Sequence, residues 1–159
     1  MKFPLPALME ESTLCYVIKD GKVLLIEKKK GFGAGKINAP GGRLEKDETP
    51  EQCAVRELRE ELGITPTGMR KAGVNRFQNG KVRMAVHIFT ADGFEGELKE
   101  TDEAAPFWAP LDSIPFDRMW DDDVHWFPYM LEGRTFAGNF TFSEDWKSIL
   151  KYEITEEKR

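Results

Sequence analysis

The segment from Thr49 to Gly63 constrains the fold of this chain more than any other, because it carries both the start and the stop signal of one helix. Thr49 is a good N-cap, and Gln52 three residues later completes a capping box. Pro50 stands at the first helical position, where its missing N–H is harmless. Gly63 suits the left-handed conformation that often follows a helix C-terminus. We therefore predict a helix over Pro50–Leu62.

The predicted helix has two different faces. Apolar residues recur every four positions and predict the buried stripe, which consists of Ala54, Leu58 and Leu62. Glu57, Glu60 and Glu61 lie at i, i+3 and i+4, within roughly 100° of one another around the axis. Carboxylate oxygens at this spacing are the ligands that Mg²⁺ or Mn²⁺ prefers. The alternative is a solvated Glu/Arg face without a ligand.

Segments that alternate or run apolar on both sides of this helix predict β-strands. Asp20-Gly21 and Asn79-Gly80 are two-residue hairpin signals. The predicted strands are Ser12–Lys19, Lys22–Glu27, Val74–Phe77, Val82–Thr90, Phe107–Ala109, Thr135–Phe142 and Ser148–Thr155. Gly31–Gly35 and Pro40–Gly42 are predicted loops, and Asp121–Leu131, followed by Gly133, is a second predicted helix. We expect one α+β domain over residues 1–159, with a mixed sheet.

Composition narrows the possible partners. The chain has 159 residues and a formal net charge of −5, with no dense Lys/Arg block, which argues against duplex nucleic acid. An acidic protein still binds phosphates when a cation bridges the two. Cys15 and Cys53 are expected to be buried free thiols. The N-terminal apolar stretch is short and broken by prolines, and no run reaches ~20 apolar residues, so we expect a cytoplasmic protein without a membrane partner.

The helix and its flanks together match a known motif. The spacing G-x5-E-x7-R-E-U-x-E-E-x-G-U, with U a bulky aliphatic residue, is filled at every position by Gly42, Glu48, Arg56, Glu57, Leu58, Glu60, Glu61, Gly63 and Ile64. The chain in this respect resembles the Nudix hydrolases. That resemblance implies an α/β/α sandwich in which a loop–helix–loop packs on a mixed sheet.

The resemblance also implies roles for the residues of the motif. Mg²⁺, for which Mn²⁺ can substitute, would be bound by carboxylates and backbone oxygens from Gly41, Gly42, Glu57, Glu60, Glu61 and Glu103. Arg56 would orient an acidic side chain, with Glu48 as its partner. Water would attack a phosphorus of a diphosphate link, with either Glu61 or Glu103 as the general base.

Other segments are similar to one branch of that family, the oxidised-purine nucleoside triphosphatases that convert 8-oxo-dGTP to the monophosphate and pyrophosphate. These segments are 28–38, 114–123 and 126–128. The likeness implies that Asn38, Asp122 and Asp123 read the base and that Trp120 stacks on it. Two adjacent carboxyls in an apolar pocket cannot both ionise cheaply, so one would keep a proton and donate it. The remaining pocket residues would be Thr13, Lys28, Phe77, Met84, Trp126 and Phe142.

Simpler interpretations stay open for several of these residues. Asp121–Asp123 could cap the second helix, the aromatic residues could be ordinary core, and Lys28–Lys30 could be a solvated strand end. We assign no role to His87 or His125. The chain also departs from the branch, which often has an aromatic at Ile37, Gly-Phe at Ala39-Pro40 and Pro at Asp121, and whose second hairpin is about two residues longer.

Three other functions follow from the same sequence. The chain could hydrolyse another nucleotide, such as an undamaged nucleoside triphosphate or a dinucleotide. It could remove pyrophosphate from RNA 5′ ends, although that activity would favour a basic surface. It could be a nucleotide-sensing module without catalysis, although such a module is expected to lose its acidic ligands. The oligomeric state is expected to be a monomer or a small homo-oligomer.

Overall fold

The computed structural model describes residues 9–80 and 82–157. Its strands, numbered along the chain, are β1 (Met9–Lys19), β2 (Lys22–Lys28), β3 (Ile37–Asn38), β4 (Gly41–Arg43), β5 (Ile64–Thr67), β6 (Arg70–Gln78), β7 (Arg83–Ala91), β8 (Gly93–Gly96), β9 (Ala104–Pro110), β10 (Phe136–Phe142) and β11 (Ile149–Glu156). Two α-helices, α1 (Pro50–Leu62) and α2 (Asp123–Leu131), and a short 3₁₀ turn (Phe116–Arg118) complete the described elements.

Nine of the described strands form one mixed sheet. Its order is β11-β10-β6-β7-β1-β2-β3, and β4 and β9 pair with β1 and β2 respectively. β1 is parallel to β7 and antiparallel to both β4 and β2. β5 and β8 form a separate pair. The predicted α+β class with a mixed sheet is confirmed.

The two helices cover opposite faces of this sheet, as alternation along β1 shows. Cys15 and Val17 pack in a core with α1, whereas Tyr16 between them packs in a core with α2. The same alternation places Leu24 with α1 and Leu25 with α2. The resulting order of layers is helix, sheet, helix, which confirms the sandwich that the resemblance implied.

The local signals at the first hairpin and at α1 are confirmed in detail. Asp20 and Gly21 both have positive φ, 54° and 75°, the backbone of a two-residue type I′ turn. Thr49 and Gln52 form the reciprocal capping box, and Gly63 ends the helix in the left-handed conformation with φ 74°. The second hairpin is also present, but its connection spans four residues, because β6 ends at Gln78 and β7 begins at Arg83.

Some expectations were wrong. The predicted loop at Pro40–Gly42 contains β4 instead. A Cβ on Gly41 would lie 1.9 Å from the carbonyl oxygen of Thr13, so glycine here permits close strand pairing rather than a turn. The short strands β3, β5 and β8 were not predicted. α2 begins at Asp123 rather than Asp121, and Asp122, which precedes it, makes no capping hydrogen bond.

Two further findings bear on the sequence expectations. No helix in the described part of the chain is long and apolar enough to cross a membrane. The N-terminal segment that we expect not to be a secretory signal falls largely on residues 1–8, outside the described residues.

Candidate active site

A single cavity of about 490 Å³ runs from the start of α2 across the sheet to the acidic side of α1. Every substrate-binding residue that the sequence predicted lines it: Thr13, Lys28, Asn38, Phe77, Met84, Trp120, Asp122, Asp123, Trp126 and Phe142. Gly41, Gly42, Glu57, Glu61 and Glu103 line the same cavity. Glu48, Arg56 and Glu60 do not. Segments from all parts of the chain therefore converge on one place.

α1 delivers two of its acids to the glycine strand β4. A Cβ on Gly42 would lie 2.5 Å from the carboxyl carbon of Glu57, so glycine leaves the room that this carboxyl occupies beside β4. Glu61 is buried and accepts a hydrogen bond from the backbone of Gly41. Burial and the neighbouring charge of Glu57 raise the pKa of Glu61 to about 8. Burial also raises the pKa of Glu57. We call this end of the cavity, Gly41, Gly42, Glu57, Glu61 and Glu103, the acidic end.

Arg56 does not line the cavity, but its hydrogen bonds hold residues at the acidic end in place. Its Nε and Nη2 donate to the two oxygens of Glu48 at 2.7 and 2.9 Å, a bidentate pair, and Nη1 donates to Glu57 Oε1 at 2.9 Å. The Nη2 group also donates to the carbonyl of Arg43 at 3.0 Å. The Arg56 hydrogen bonds lower the pKa of Glu48 to about 2. Arg56 thus ties the helix to the glycine strand and holds one oxygen of Glu57.

Glu60 differs from Glu57 and Glu61 because it does not line the cavity. It is exposed, and its Oε2 accepts a hydrogen bond from Arg56 Nη1 at 3.1 Å. Among the described residues, no three His, Cys, Asp or Glu side chains are arranged as a ready-made metal site. The half-buried Glu57 and the buried Glu61, whose pKa values are raised, nonetheless line one cavity with Glu103 and the backbone of β4. Their hard oxygen donors fit a divalent cation such as Mg²⁺.

At the other end of the cavity, Asp122 and Asp123 are both buried. Trp126 Nε1 donates to Asp122 Oδ2 at 2.9 Å. Burial raises the pKa of Asp122, and burial together with the charge of Asp122 raises that of Asp123 much further. Asp123 Oδ2 has no hydrogen-bond partner within the described part of the chain. The sequence predicts base recognition at this end of the cavity, which Asn38, Asp122, Asp123 and Trp126 form, and we call it the base end.

Neighbours fix the amide of Asn38. Its Oδ1 accepts from the backbone N–H of Ala39 at 2.8 Å and from the Tyr16 hydroxyl at 3.5 Å. These donors occupy the acceptor, so the Nδ2 amino group is what remains for a ligand. Tyr16 is fully buried and was not predicted from the sequence to take part, because it reads as an ordinary core residue of β1.

Aromatic side chains form the rim of the cavity. Trp120 stacks on Phe32 with centroids 5.0 Å apart, and Lys36 Nζ lies 4.9 Å from the Trp120 ring. Trp146 meets Phe32 edge-on at 5.9 Å. Phe32 is 57% exposed. The sequence did not single out Phe32, Lys36 or Trp146; an aromatic inside a glycine-rich loop was the available signal for the first. The core interpretation also holds for Trp126, which is buried against Phe136 and lines the cavity as well.

Comparison with known proteins agrees with this architecture. The NUDIX domain model matches residues 10–130. The chain is 50% identical over 132 residues to the oxidized purine nucleoside triphosphate hydrolase of Danio rerio, covering 82% of this chain and 85% of that protein. It is 42% identical over 146 residues to the protein of the same name from Mus musculus, covering 91% and 93%.

Solved structures lead to the same family. The crystal structure of a MutT protein from Bacillus halodurans superposes with a TM-score of 0.81 at 27% sequence identity, covering 92% of this chain and 97% of that one. The family model and the two relatives show that this chain belongs to the Nudix hydrolase family.

Proposed function

We propose that this chain is a Mg²⁺-dependent pyrophosphohydrolase that converts oxidised purine nucleoside triphosphates, of which 8-oxo-dGTP is the type, to the monophosphate and pyrophosphate. The observation that carries the proposal is the single cavity with two different ends. Asp122 and Asp123 are buried at one end, and the buried Glu61 and the half-buried Glu57 line the other. A nucleotide has the same polarity, with a base at one end and phosphates at the other. Relatives at 50% and 42% identity carry the name of this activity.

Mg²⁺ fits at the acidic end, with Glu57, Glu61, Glu103 and a backbone carbonyl of Gly41 or Gly42 as its ligands, and Mn²⁺ is expected to substitute. When bound there, the cation would neutralise phosphate charge and lower the pKa of the attacking water. We retain Glu60 as a further ligand only if its contact with Arg56 gives way, because its carboxylate lies outside the cavity lining in this structure.

The chain's own groups would perform two tasks at this end. Glu61 or Glu103 would accept the proton of the attacking water, since both line the cavity. Arg56 would position Glu57 by holding one of its oxygens, while its bidentate bond to Glu48 keeps the guanidinium in place. Arg56 therefore acts through Glu57 and not on the substrate.

At the base end, the proposal assigns donors and an acceptor to named atoms. Burial raises the pKa of both Asp122 and Asp123, and the charge of Asp122 raises that of Asp123 further, which favours a pair that shares one proton. One carboxyl then donates and the other accepts, while Asn38 Nδ2 supplies a further donor. Oxidised purines differ from their parents in which ring positions carry N–H and C=O, so such a set of fixed donors and acceptors is able to distinguish them.

The test is kcat/KM with Mg²⁺ for 8-oxo-dGTP, 2-hydroxy-dATP, dGTP and ADP-ribose, with identification of the released phosphate product. We expect the two oxidised nucleotides to exceed dGTP and ADP-ribose, and pyrophosphate to be released. A preference for dGTP or for ADP-ribose would instead make the chain a Nudix hydrolase of another nucleotide. Absence of turnover on all four would favour a nucleotide-sensing role.

We also propose that the enzyme works on free nucleotides in the cytoplasm. Cys15 and Cys53 are both free and buried. Burial raises the pKa of Cys15 to about 12, which leaves the thiol unreactive. Unpaired thiols of this kind are typical of proteins from reducing compartments.

A further inference from the structure

We infer that Asn75, which neither the motif nor the base-reading set includes, is an additional specificity residue that hydrogen-bonds the purine base of the substrate. The inference rests on the proposed function for the identity of that base. Asn75 lies in the middle of β6, is 1% exposed and lines the cavity. Neither its Nδ2 nor its Oδ1 has a hydrogen-bond partner in the described part of the chain.

The surroundings of Asn75 are apolar, which makes this amide costly. Phe77, two residues along β6, lines the cavity on the same face. The cross-strand partner of Asn75 on β7 is Val86, and its partner on β10 is Gly138. Burial of an amide without a partner destabilises the ligand-free protein relative to an apolar side chain of the same shape. A ligand that hydrogen-bonds the amide removes that penalty, so the penalty favours binding.

Gly138 on β10 leaves the room that the amide of Asn75 occupies. A Cβ on Gly138 would lie 2.4 Å from Asn75 Oδ1, so the amide lies over the space that glycine leaves empty. Any larger residue at 138 would displace it. Because glycine offers no side-chain partner, both amide atoms remain available to a ligand.

Packing places Asn75 on the face of the sheet that carries the base end. Val86, its cross-strand partner, and Phe77, two residues along β6, pack in the same core as Trp126 of α2, whereas α1 packs in the other core. β6 also lies beside β10, which packs against α2, the helix that begins with Asp123. Asp123 Oδ2, also without a partner among the described residues, belongs to the same end. Asn75 and Asp123 therefore both present unpaired polar atoms to the same part of the ligand.

The test is Asn75→Leu, which keeps the branched shape but removes the amide. The probe is the product, 8-oxo-dGMP, whose binding is measured by calorimetry without divalent metal. We expect Kd to rise roughly 5- to 150-fold, the size of an unpaired buried hydrogen-bonding group. We also expect the Tm of the ligand-free variant to rise by about 3 °C, because the unpaired amide is gone. A variant with a disturbed fold would lose both affinity and thermal stability, so weaker binding together with a higher Tm would show a specific loss of the amide.

The matched control is Asn139→Leu, an exposed asparagine on the adjacent strand, which should change neither Kd nor Tm. If the Leu variant does not fold, Asn75→Ala removes the same amide without adding apolar volume, and its Kd should rise to a similar extent. An unchanged Kd in a folded variant overturns the role of Asn75. Failure of wild type to hydrolyse oxidised purine triphosphates would instead overturn the proposed function, so the two failures are distinguishable.

Discussion

The two ends of the cavity use the same device in different surroundings. Each end carries a pair of carboxyls whose pKa values are raised by burial: Glu57, which is half-buried, with the buried Glu61 at the acidic end, and the buried Asp122 and Asp123 at the base end. Arg56, a permanent cation, contacts the acidic pair at 2.9 Å. The strongest influences on the pKa of Asp123 are burial, Asp122 and Trp126, and none of these is a cation. The difference lies in what neutralises the charge of each pair.

A buried carboxyl pair becomes stable in one of two ways. It acquires a cation, which leaves both groups ionised, or it keeps a proton, which leaves a donor beside an acceptor. The acidic end, where Arg56 already donates to Glu57, is suited to the first. The base end, where Trp126 donates to Asp122, is suited to the second. Catalysis and base recognition would then respond to different perturbations, and the following experiments test that separation.

Metal removal should have the largest effect, and only at the acidic end. We expect EDTA to abolish turnover of the nucleoside triphosphate, and added Mg²⁺ or Mn²⁺ to restore it. The two glutamates repel the phosphates, and only a cation between them neutralises the phosphate charge. The affinity for 8-oxo-dGMP, measured in the same EDTA buffer, should persist because base recognition needs no cation. Full turnover in the metal-free assay would contradict the assignment of the acidic end.

Glu61→Gln should have the next largest effect. The side chain keeps its shape and helix propensity but loses its charge, so kcat should fall by about two orders of magnitude or more while the protein remains folded. The matched control is Glu51→Gln, an exposed acid in the first turn of the same helix, which should leave kcat unchanged. Near wild-type kcat in the Glu61 variant would show that this buried acid contributes nothing to the reaction.

Asp122→Asn and Asp123→Asn should change the choice of substrate more than the rate. If the pair shares one proton, replacing either carboxyl alters the donors and acceptors offered to the base, and the ratio of kcat/KM for 8-oxo-dGTP to that for dGTP should shift roughly 5- to 150-fold. Asp121→Asn, an exposed acid next in the chain, is the control. A wild-type ratio in both variants would remove the base-reading role.

Local signals predicted part of this molecule well, for a physical reason. The capping box at Thr49, the left-handed Gly63 and the Asp20-Gly21 turn depend on interactions within a few residues. β4 was not predicted, because the reason for glycine at position 41 lies elsewhere in the chain. Any side chain there would clash with the carbonyl of Thr13, which is 28 positions away in sequence. Sequence alone does not separate a glycine needed for such an approach from a glycine in a turn.

The site shows the same division. Helical spacing put Glu57, Glu60 and Glu61 on one face, but only the folded chain shows that Glu60 contacts Arg56 outside the cavity lining while Glu61 is buried within it. The resemblance supplied Asp122 and Asp123. In the sequence, Asn75 is one polar residue within a strand. That its amide has no hydrogen-bond partner among the described residues becomes visible only when its neighbours on β10 and β7 are known.

The smallest expected effect concerns stability against pH at the base end. Burial raises the pKa of Asp123 above its ordinary value of 3.8, so the folded chain keeps a proton that the unfolded chain releases. The unfolded state therefore binds fewer protons, and the free energy of unfolding falls as pH rises from that value upward. Asp123→Asn has no such proton to lose. Its Tm relative to wild type should increase between pH 4 and pH 8, by roughly 3 °C for each kcal/mol recovered. Comparison with the exposed Asp121→Asn isolates the contribution of burial. A Tm difference that stays constant, or that shrinks as pH rises, would mean that Asp123 ionises freely, and the two ends of the cavity would then not differ as described.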